Sequence, residues 1–187
     1  IAESIVREFP DRARFLRLSE RGVGLAIRHS WTGSEADVVG YMDVDLATDL
    51  KHLLEVQSHF TQSASQVVNG SRLLPESRVV GRKLLREITS RGLNFTMRTV
   101  LGCHFTDAMC GFKFFQRQLV LDLLDEVPVI PDWFVAAELL VRAEWRGLSV
   151  QEIGVHWTDD PNSKAKVGSL IKQNLEHIMR LRRELHA

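Results

Sequence analysis

The chain has 187 residues, 44% of them hydrophobic, which suits one domain with a buried core. Its 24 basic and 24 acidic side chains balance, so the overall charge favours neither nucleic acid nor an acidic partner, and no nucleic-acid partner is expected. The two cysteines, Cys103 and Cys110, form neither a CxxC motif nor a disulfide framework, which points to a reducing compartment. No apolar run approaches the ~20 residues that span a bilayer, and no signal peptide opens the chain, so a cytoplasmic protein not inserted in a membrane is expected.

The opening "IAESIVREFPD" reads as the tail of an amphipathic helix closed by Pro10, and as the middle of a domain. An N-terminal piece is therefore expected to precede it. "ARFLRL" (13–18) has strand character, "SERGVG" (19–24) is a turn, and "LAIRHSW" continues as a helix. "ADVVGYM" (36–42) is a buried strand by its length and β-branched content, "DLKHLLEVQSHF" (49–60) has helical spacing, and "QVVNGSR" (66–72) is another short strand. A long basic segment (77–102) is followed by the turn-like "TDAMCGFKFF" (106–115). Helical stretches at 118–127 and 133–147 come next, with Leu139, Leu140 and Val141 assigned to the core. Then follow an alternating strand "LSVQEIGVHW" (148–157), a polar loop, and a final amphipathic helix "SLIKQNLEHIMRLRREL" (169–185). That helix could pack on the domain, mediate a homodimer or rest on lipid. Strands alternating with helices predict a single α/β domain with a mostly parallel sheet flanked by helices. In such sheets the ligand sits beyond the carboxyl ends of the strands.

Asp43 and Asp45 fall at such an end, in "GYMDVDLATD". Carboxylates spaced in this way suit a hard divalent cation, Mn²⁺ or Mg²⁺, that fills its other positions with water and substrate phosphates. A helix-capping role fits Asp49 or Thr48 better than Asp43 and Asp45, which lie before the cap position. An EF-hand starting at Asp43 fails at Ala47, Thr48 and Leu54. A haloacid-dehalogenase-type phosphatase, which follows a strand with DxDx(T/V), comes nearer to "DVDLAT", although Thr48 stands one residue late.

Read together, "YMDVDLATDL", "NGSRLLPESRV", "REITSRGLNFTMRTVLG", "TDAMCGFKFFQR", "WFVAAELLVRAEWRGLSVQEIGVHW" and "DDPNSK" carry a more specific signal. In this order the blocks resemble family 2 glycosyltransferases of the Rossmann-like GT-A fold, closest to the branch that makes polyprenyl- or dolichyl-phosphate sugars. The resemblance implies an N-terminally incomplete catalytic domain over residues 1–187. Asp43 and Asp45 match the metal and diphosphate motif, and Arg21, Gly22 and Gly24 the loop along the nucleotide. Gly70, Ser71 and Arg72 match a "GSR" near the donor sugar and phosphates. Asp107 matches the acid at the sugar-transfer centre, with Cys110, Gly111, Phe112 and Lys113 shaping its loop. Glu138 matches the acid of an "FDxELL" block, and Ser163 and Lys164 an "SK" that closes over the diphosphate. Two departures stand out. The family's opening strand and its "P-x-Y-N-E" turn, which reads the base, have no match, and Ala136 replaces the aspartate of "FDxELL".

The positive charge is gathered rather than spread. Seven lysines and arginines lie between Arg72 and Arg98 against Glu76 and Glu87, and a second group surrounds the last helix. Such segments suit a diphosphate, an acceptor phosphate and an anionic membrane surface, with Arg72, Arg86 and Lys164 as the phosphate contacts. His156 reads as a strand-surface histidine rather than a further metal ligand, and Trp133 and Trp157 as core more than sugar site. The expected reaction is metal-dependent, inverting transfer of a hexose from a nucleotide diphosphate sugar to a polyprenyl phosphate, by a peripheral enzyme at the cytoplasmic membrane face. A soluble acceptor, a phosphatase and a non-catalytic sugar-nucleotide binder are the alternatives. Asp107 would act as a base toward a hydroxyl acceptor, and would only orient or stabilise with a phosphate acceptor, which is already anionic at neutral pH.

Overall fold

The β-branched run after Asp37 forms β1 (Val38–Met42) in the computed structural model, which describes residues 2–159 and 167–186. It joins β2 (Val67–Ser71), β4 (Phe112–Gln116) and β5 (Val150–Gly154) in a sheet of order β1-β4-β2-β5. β4 runs antiparallel to β1 and β2, and β5 runs parallel to β2, so three of the four strands share one direction. Two three-residue strands, β3 (Arg78–Val80) and β6 (His156–Thr158), pair in parallel beside it.

Among the described residues seven helices surround these strands: α1 (Ala2–Glu8), α2 (Val23–Thr32), α3 (His52–Gln62), α4 (Leu84–Leu101), α5 (Arg117–Glu126), α6 (Phe134–Trp145) and α7 (Val167–Leu185). One sheet face packs on the larger core, which draws residues from α2, α4, α5, α6 and α7. The opposite face carries a smaller cluster with Val56 of α3 and Trp157 of β6. α6 is buried continuously from Phe134 to Ala143, including Leu139, Leu140 and Val141, as a helix that is apolar on nearly every side must be.

Three expectations change. The stretch 106–115, read as turn-like, ends in strand β4, because "FKFF" lacks the alternation of a half-exposed strand. Both of its faces are covered: Phe112 and Phe114 belong to the smaller cluster, Phe115 to the larger one. Residues 13–18, read as a strand, join no ladder, and Phe15 and Leu16 stand exposed. β1 pairs only with β4, so no described strand offers them backbone partners. The strand expected over 148–157 divides at Val155, whose N–H donates to Ser71 O (3.0 Å), and its two halves enter different sheets.

α7 packs on the domain, with Ile178 and Leu181 fully buried. A charged network fixes it there. Glu138 of α6, wholly buried, accepts from Arg142 Nε (2.9 Å) and Nη2 (2.7 Å), and from both Nη atoms of Arg180 on α7. Glu184 closes the network, taking Arg142 Nη2 (2.7 Å) and Arg180 Nη1 (2.8 Å). Removing one member strands the buried charge of the others. Glu138→Ala should therefore lower unfolding free energy by ~3–5 kcal/mol in urea titrations; a loss under ~1 kcal/mol would contradict this role.

Candidate active site

Register across the sheet sets the site's floor. Val39, Phe115, Val67 and Val150 align in one row across β1, β4, β2 and β5 on the face of the larger core. Two residues further toward the ends of β1, β2 and β5, the next row on that face is Tyr41, Lys113, Asn69 and Glu152. The apolar core thus gives way to a polar row within one pleat. Lys113 and Asn69 are fully buried. Lys113 Nζ donates to Cys110 O and lies 6.0 Å from the centre of the Tyr41 ring. Burial pushes the Lys113 pKa down, against the pull of Asp107 and Asp43.

Above the row stand the carboxylates. Asp43 N–H donates to Gly111 O (3.0 Å), tying the end of β1 to the entry of β4. Leu46 N–H donates to Asp43 O (3.1 Å) and Ala47 N–H to Asp45 Oδ1 (3.1 Å), closing a tight turn with Leu46 in the left-handed region at φ 55°. Gly111 is required here, since a Cβ would collide with the Asp43 carboxylate. Burial and the neighbouring Asp45 raise the Asp43 pKa, while Arg72 and Lys113 lower it. A carboxylate whose ionisation is opposed by burial and a neighbouring carboxylate is stabilised by a cation. Among the described residues no group of three or more His, Cys, Asp or Glu could hold a metal.

Arg72, just past β2, forms a two-pronged pair with Asp107: Nε to Oδ2 at 2.7 Å and Nη2 to Oδ1 at 2.9 Å. The Arg72 and Met109 backbone N–H groups also donate to this carboxylate, at 3.1 and 3.2 Å. The guanidinium lies over the Trp157 ring, 4.8 Å from its centre. Burial would raise the Asp107 pKa, but the charge and hydrogen bonds of Arg72, with help from Lys113, hold it at about 2. It is a permanent anion committed to Arg72.

The other expected residues divide. Gly70 and Ser71 close β2 immediately before Arg72, with Ser71 Oγ 2.6 Å from Thr106 Oγ1, so both border the Arg72–Asp107 pair. Arg86 donates to Asp159 Oδ1 (3.1 Å) in the first turn of α4. Arg21 is exposed, and Gly22 and Gly24 serve packing: a Cβ on Gly24 would strike Ile130 O, and its N–H donates to Pro131 O (3.2 Å). Glu138 belongs to the α6–α7 network, and its hydrogen bonds go to Arg142 and Arg180 rather than to the carboxylates. Ser163 and Lys164 lie outside the described residues. His156 lies 2.9 Å from Lys51 Nζ and is not joined to Asp43 or Asp45; Trp157 is buried and Trp133 half-exposed.

Sequence reading missed Arg82, whose side chain is 9% exposed. It pairs with Glu87 (3.2 Å), and its Nη1 is buried with no partner. Burial and the nearby Arg72 lower its pKa. It is one of seven basic residues between Arg72 and Arg98, and only the fold brings it near Arg72. Asn69, Glu144 and Glu152 were missed as well: they stand inside the quoted blocks, but no role attaches to them until the 104–109 segment folds against them.

Comparison with known proteins places this geometry in a wider setting. The model of glycosyl transferase family 2 matches residues 1–124. The glycosyltransferase AglD of Haloferax volcanii is 35% identical over 168 residues, 89% of this chain and 26% of that protein. A dolichyl-phosphate β-glucosyltransferase, ALG5D, of Trichomonas vaginalis is 31% identical over 161 residues, 83% of this chain and 49% of that protein. The chain thus spans half or less of these curated relatives. Among solved structures, Mycobacterium tuberculosis glucosyl-3-phosphoglycerate synthase with UDP superposes at a TM-score of 0.67 and 20% identity, covering 96% of this chain and 65% of that one. The same enzyme with Mn²⁺, UDP-glucose and glycerol 3-phosphate gives 0.62 and 19%, covering 96% and 64%.

The Asp107 pKa sets an acid limit on stability. It is lowered on folding from 3.8 to about 2, so its contribution is complete above 3.8 and lost as pH falls toward 2. Urea unfolding of the wild type should weaken across that window, and Asp107→Asn should flatten the dependence there. Parallel pH profiles for the two proteins would contradict the pairing.

Proposed function

Because the chain belongs to glycosyl transferase family 2, we propose that it transfers a hexose from a nucleotide diphosphate sugar to a polyprenyl phosphate, with Mn²⁺ or Mg²⁺ held by Asp43 and Asp45. The observation that carries the acceptor assignment is the state of Asp107. Both its oxygens are engaged by Arg72 and its pKa lies at about 2, so it is unsuited to deprotonate a hydroxyl. A phosphate monoester needs no such base, since its second pKa is ~6. Glucose is the sugar favoured by the dolichyl-phosphate β-glucosyltransferases among the relatives.

The residues present fit a divalent ion: a half-buried and an exposed carboxylate at a strand end, with the Gly111 backbone making room. When bound, such an ion neutralises charge developing on the departing diphosphate. Arg72 adds a fixed positive charge, with Nη1 outside its pair with Asp107. Attack from the face opposite the diphosphate inverts the anomeric centre. Arg82, with its unpartnered Nη1, and Arg86 make the start of α4 the place for the acceptor phosphate. Ser163 and Lys164 are assigned to closing over the diphosphate, and Lys113 to the sugar-side floor.

The same helix suggests how a lipid acceptor arrives. Leu84, Leu85, Ile88 and Phe95 are exposed on α4 beside the exposed bases Lys83, Arg91 and Arg98. This apolar and basic face is the proposed contact with an anionic leaflet. A soluble phosphorylated acceptor is the second reading, favoured by the glycerol 3-phosphate complex of the structural neighbour. Family membership sets the phosphatase alternative aside.

Transfer from labelled UDP- and GDP-hexoses to polyprenyl phosphate in detergent, with Mn²⁺ or EDTA, tests the proposal. Lipid-linked product is expected with metal, reduced about 100-fold or more in Asp43→Ala/Asp45→Ala. Transfer to glycerol 3-phosphate alone would favour the second reading, and metal-independent turnover would contradict the assignment of the aspartates.

A further inference from the structure

The segment that delivers Asp107 belongs to no helix or strand, yet none of its backbone N–H groups from His104 to Met109 is left without an acceptor. Glu144 of α6 takes His104 N–H at Oε2 (2.7 Å) and Phe105 N–H at Oε1 (3.2 Å). Glu152 of β5 takes Thr106 N–H at Oε2 (2.7 Å) and Asp107 N–H at Oε1 (3.3 Å). Asn94 of α4 accepts Ala108 N–H (2.8 Å), and Asp107 itself accepts Met109 N–H (3.2 Å). Every bond is to a side chain, so the path of this loop is set by four residues rather than by a ladder.

Glu152 holds the decisive pair. Asn69, directly opposite it on β2, donates from Nδ2 to both Glu152 Oε1 and Asp107 O, each at 3.0 Å. One carboxylate therefore fixes the Asp107 N–H directly, and the Asp107 carbonyl through Asn69. Three donors converge on it, which suits an acceptor-only group. A glutamine would turn an NH₂ toward a backbone N–H. Burial pushes the Glu152 pKa up, and the Thr106 N–H that it accepts pulls it back.

We propose that Glu152 is a positioning residue for the transfer centre, acting through the Thr106 and Asp107 backbone to set the carboxylate that orients Arg72. Glu144 extends the same latch to the two preceding residues. Neither glutamate is assigned any contact with substrate or metal. The catalytic part of the proposal rests on the glycosyltransferase reading; the latch itself does not.

The test joins hydrogen–deuterium exchange, resolved to single amides, with transfer kinetics on Glu152→Gln and Glu152→Asp. Glu152→Gln should speed exchange at Thr106 and Asp107 about tenfold or more while amides of α5 stay at wild-type rates. In the same variant kcat should fall about tenfold or more. Glu152→Asp keeps the charge on a shorter arm, and should restore part of both protection and kcat. Wild-type exchange at these amides in Glu152→Gln would overturn the latch. So would a rise spread evenly over the domain in both variants, which would make Glu152 merely structural. A local exchange rise with unchanged kcat would overturn the positioning role. Should the wild type transfer no sugar at all, the glycosyltransferase reading fails, and the exchange measurements still decide the latch.

Discussion

The pair between Arg72 and Asp107 is the contact on which the rest of the site depends. Taking two charges out of water costs several kcal/mol each, recovered only where geometry is good and the remaining valences are filled. Here the two prongs measure 2.7 and 2.9 Å, two backbone N–H groups complete the carboxylate, and Trp157 covers the guanidinium. The pair is therefore stiff. It fixes a positive charge close to Asp43 without leaving a proton to move, which suits an enzyme that steers anions more than one that titrates its acceptor.

Much of the domain serves that stiffness. The row Tyr41–Lys113–Asn69–Glu152 runs across all four strands directly beneath the site, where an apolar row would have given a simpler core. Both central members meet partners: Lys113 donates to Cys110 O, and Asn69 Nδ2 to Glu152 and the Asp107 carbonyl. A hydrogen-bonded polar row of this kind fixes strand register, because a slip of one residue would move every member into the opposite core, although Asn69 Oδ1 is buried there without a partner. The same register puts Asp43 against Gly111, whose missing Cβ leaves its carboxylate room.

What the sequence disclosed follows from where the information is local. Asp43 and Asp45 were legible because a β-branched strand ends there, and Arg72 because a short strand and "GSR" precede it. Strand β4 was not legible, since a central strand covered on both faces loses alternation and "FKFF" then resembles any apolar turn. The stretch 13–18 failed for the converse reason: it has strand composition and no neighbouring strand. Glu138 had a motif, yet the structure surrounds it with Arg142 and Arg180, partners 4 and 42 positions away that only helix packing joins. Gly22 and Gly24 matched a loop, and their visible constraint is contact with Ile130 and Pro131. Glu152 sits in plain alternation on β5, and its value appears only when the 104–109 loop is folded against it.

Asp107 should bear on the donor through Arg72, with which its carboxylate is paired. A double-mutant cycle on nucleotide-sugar affinity isolates that dependence. Titrate UDP-glucose with Mn²⁺ into the wild type, Arg72→Lys, Asp107→Asn and the double variant. The account predicts that Asp107→Asn weakens binding in the wild-type background and has little further effect once Arg72→Lys has removed the two-pronged geometry. Equal losses from Asp107→Asn in both backgrounds would contradict it, since Asp107 would then act on the donor without Arg72.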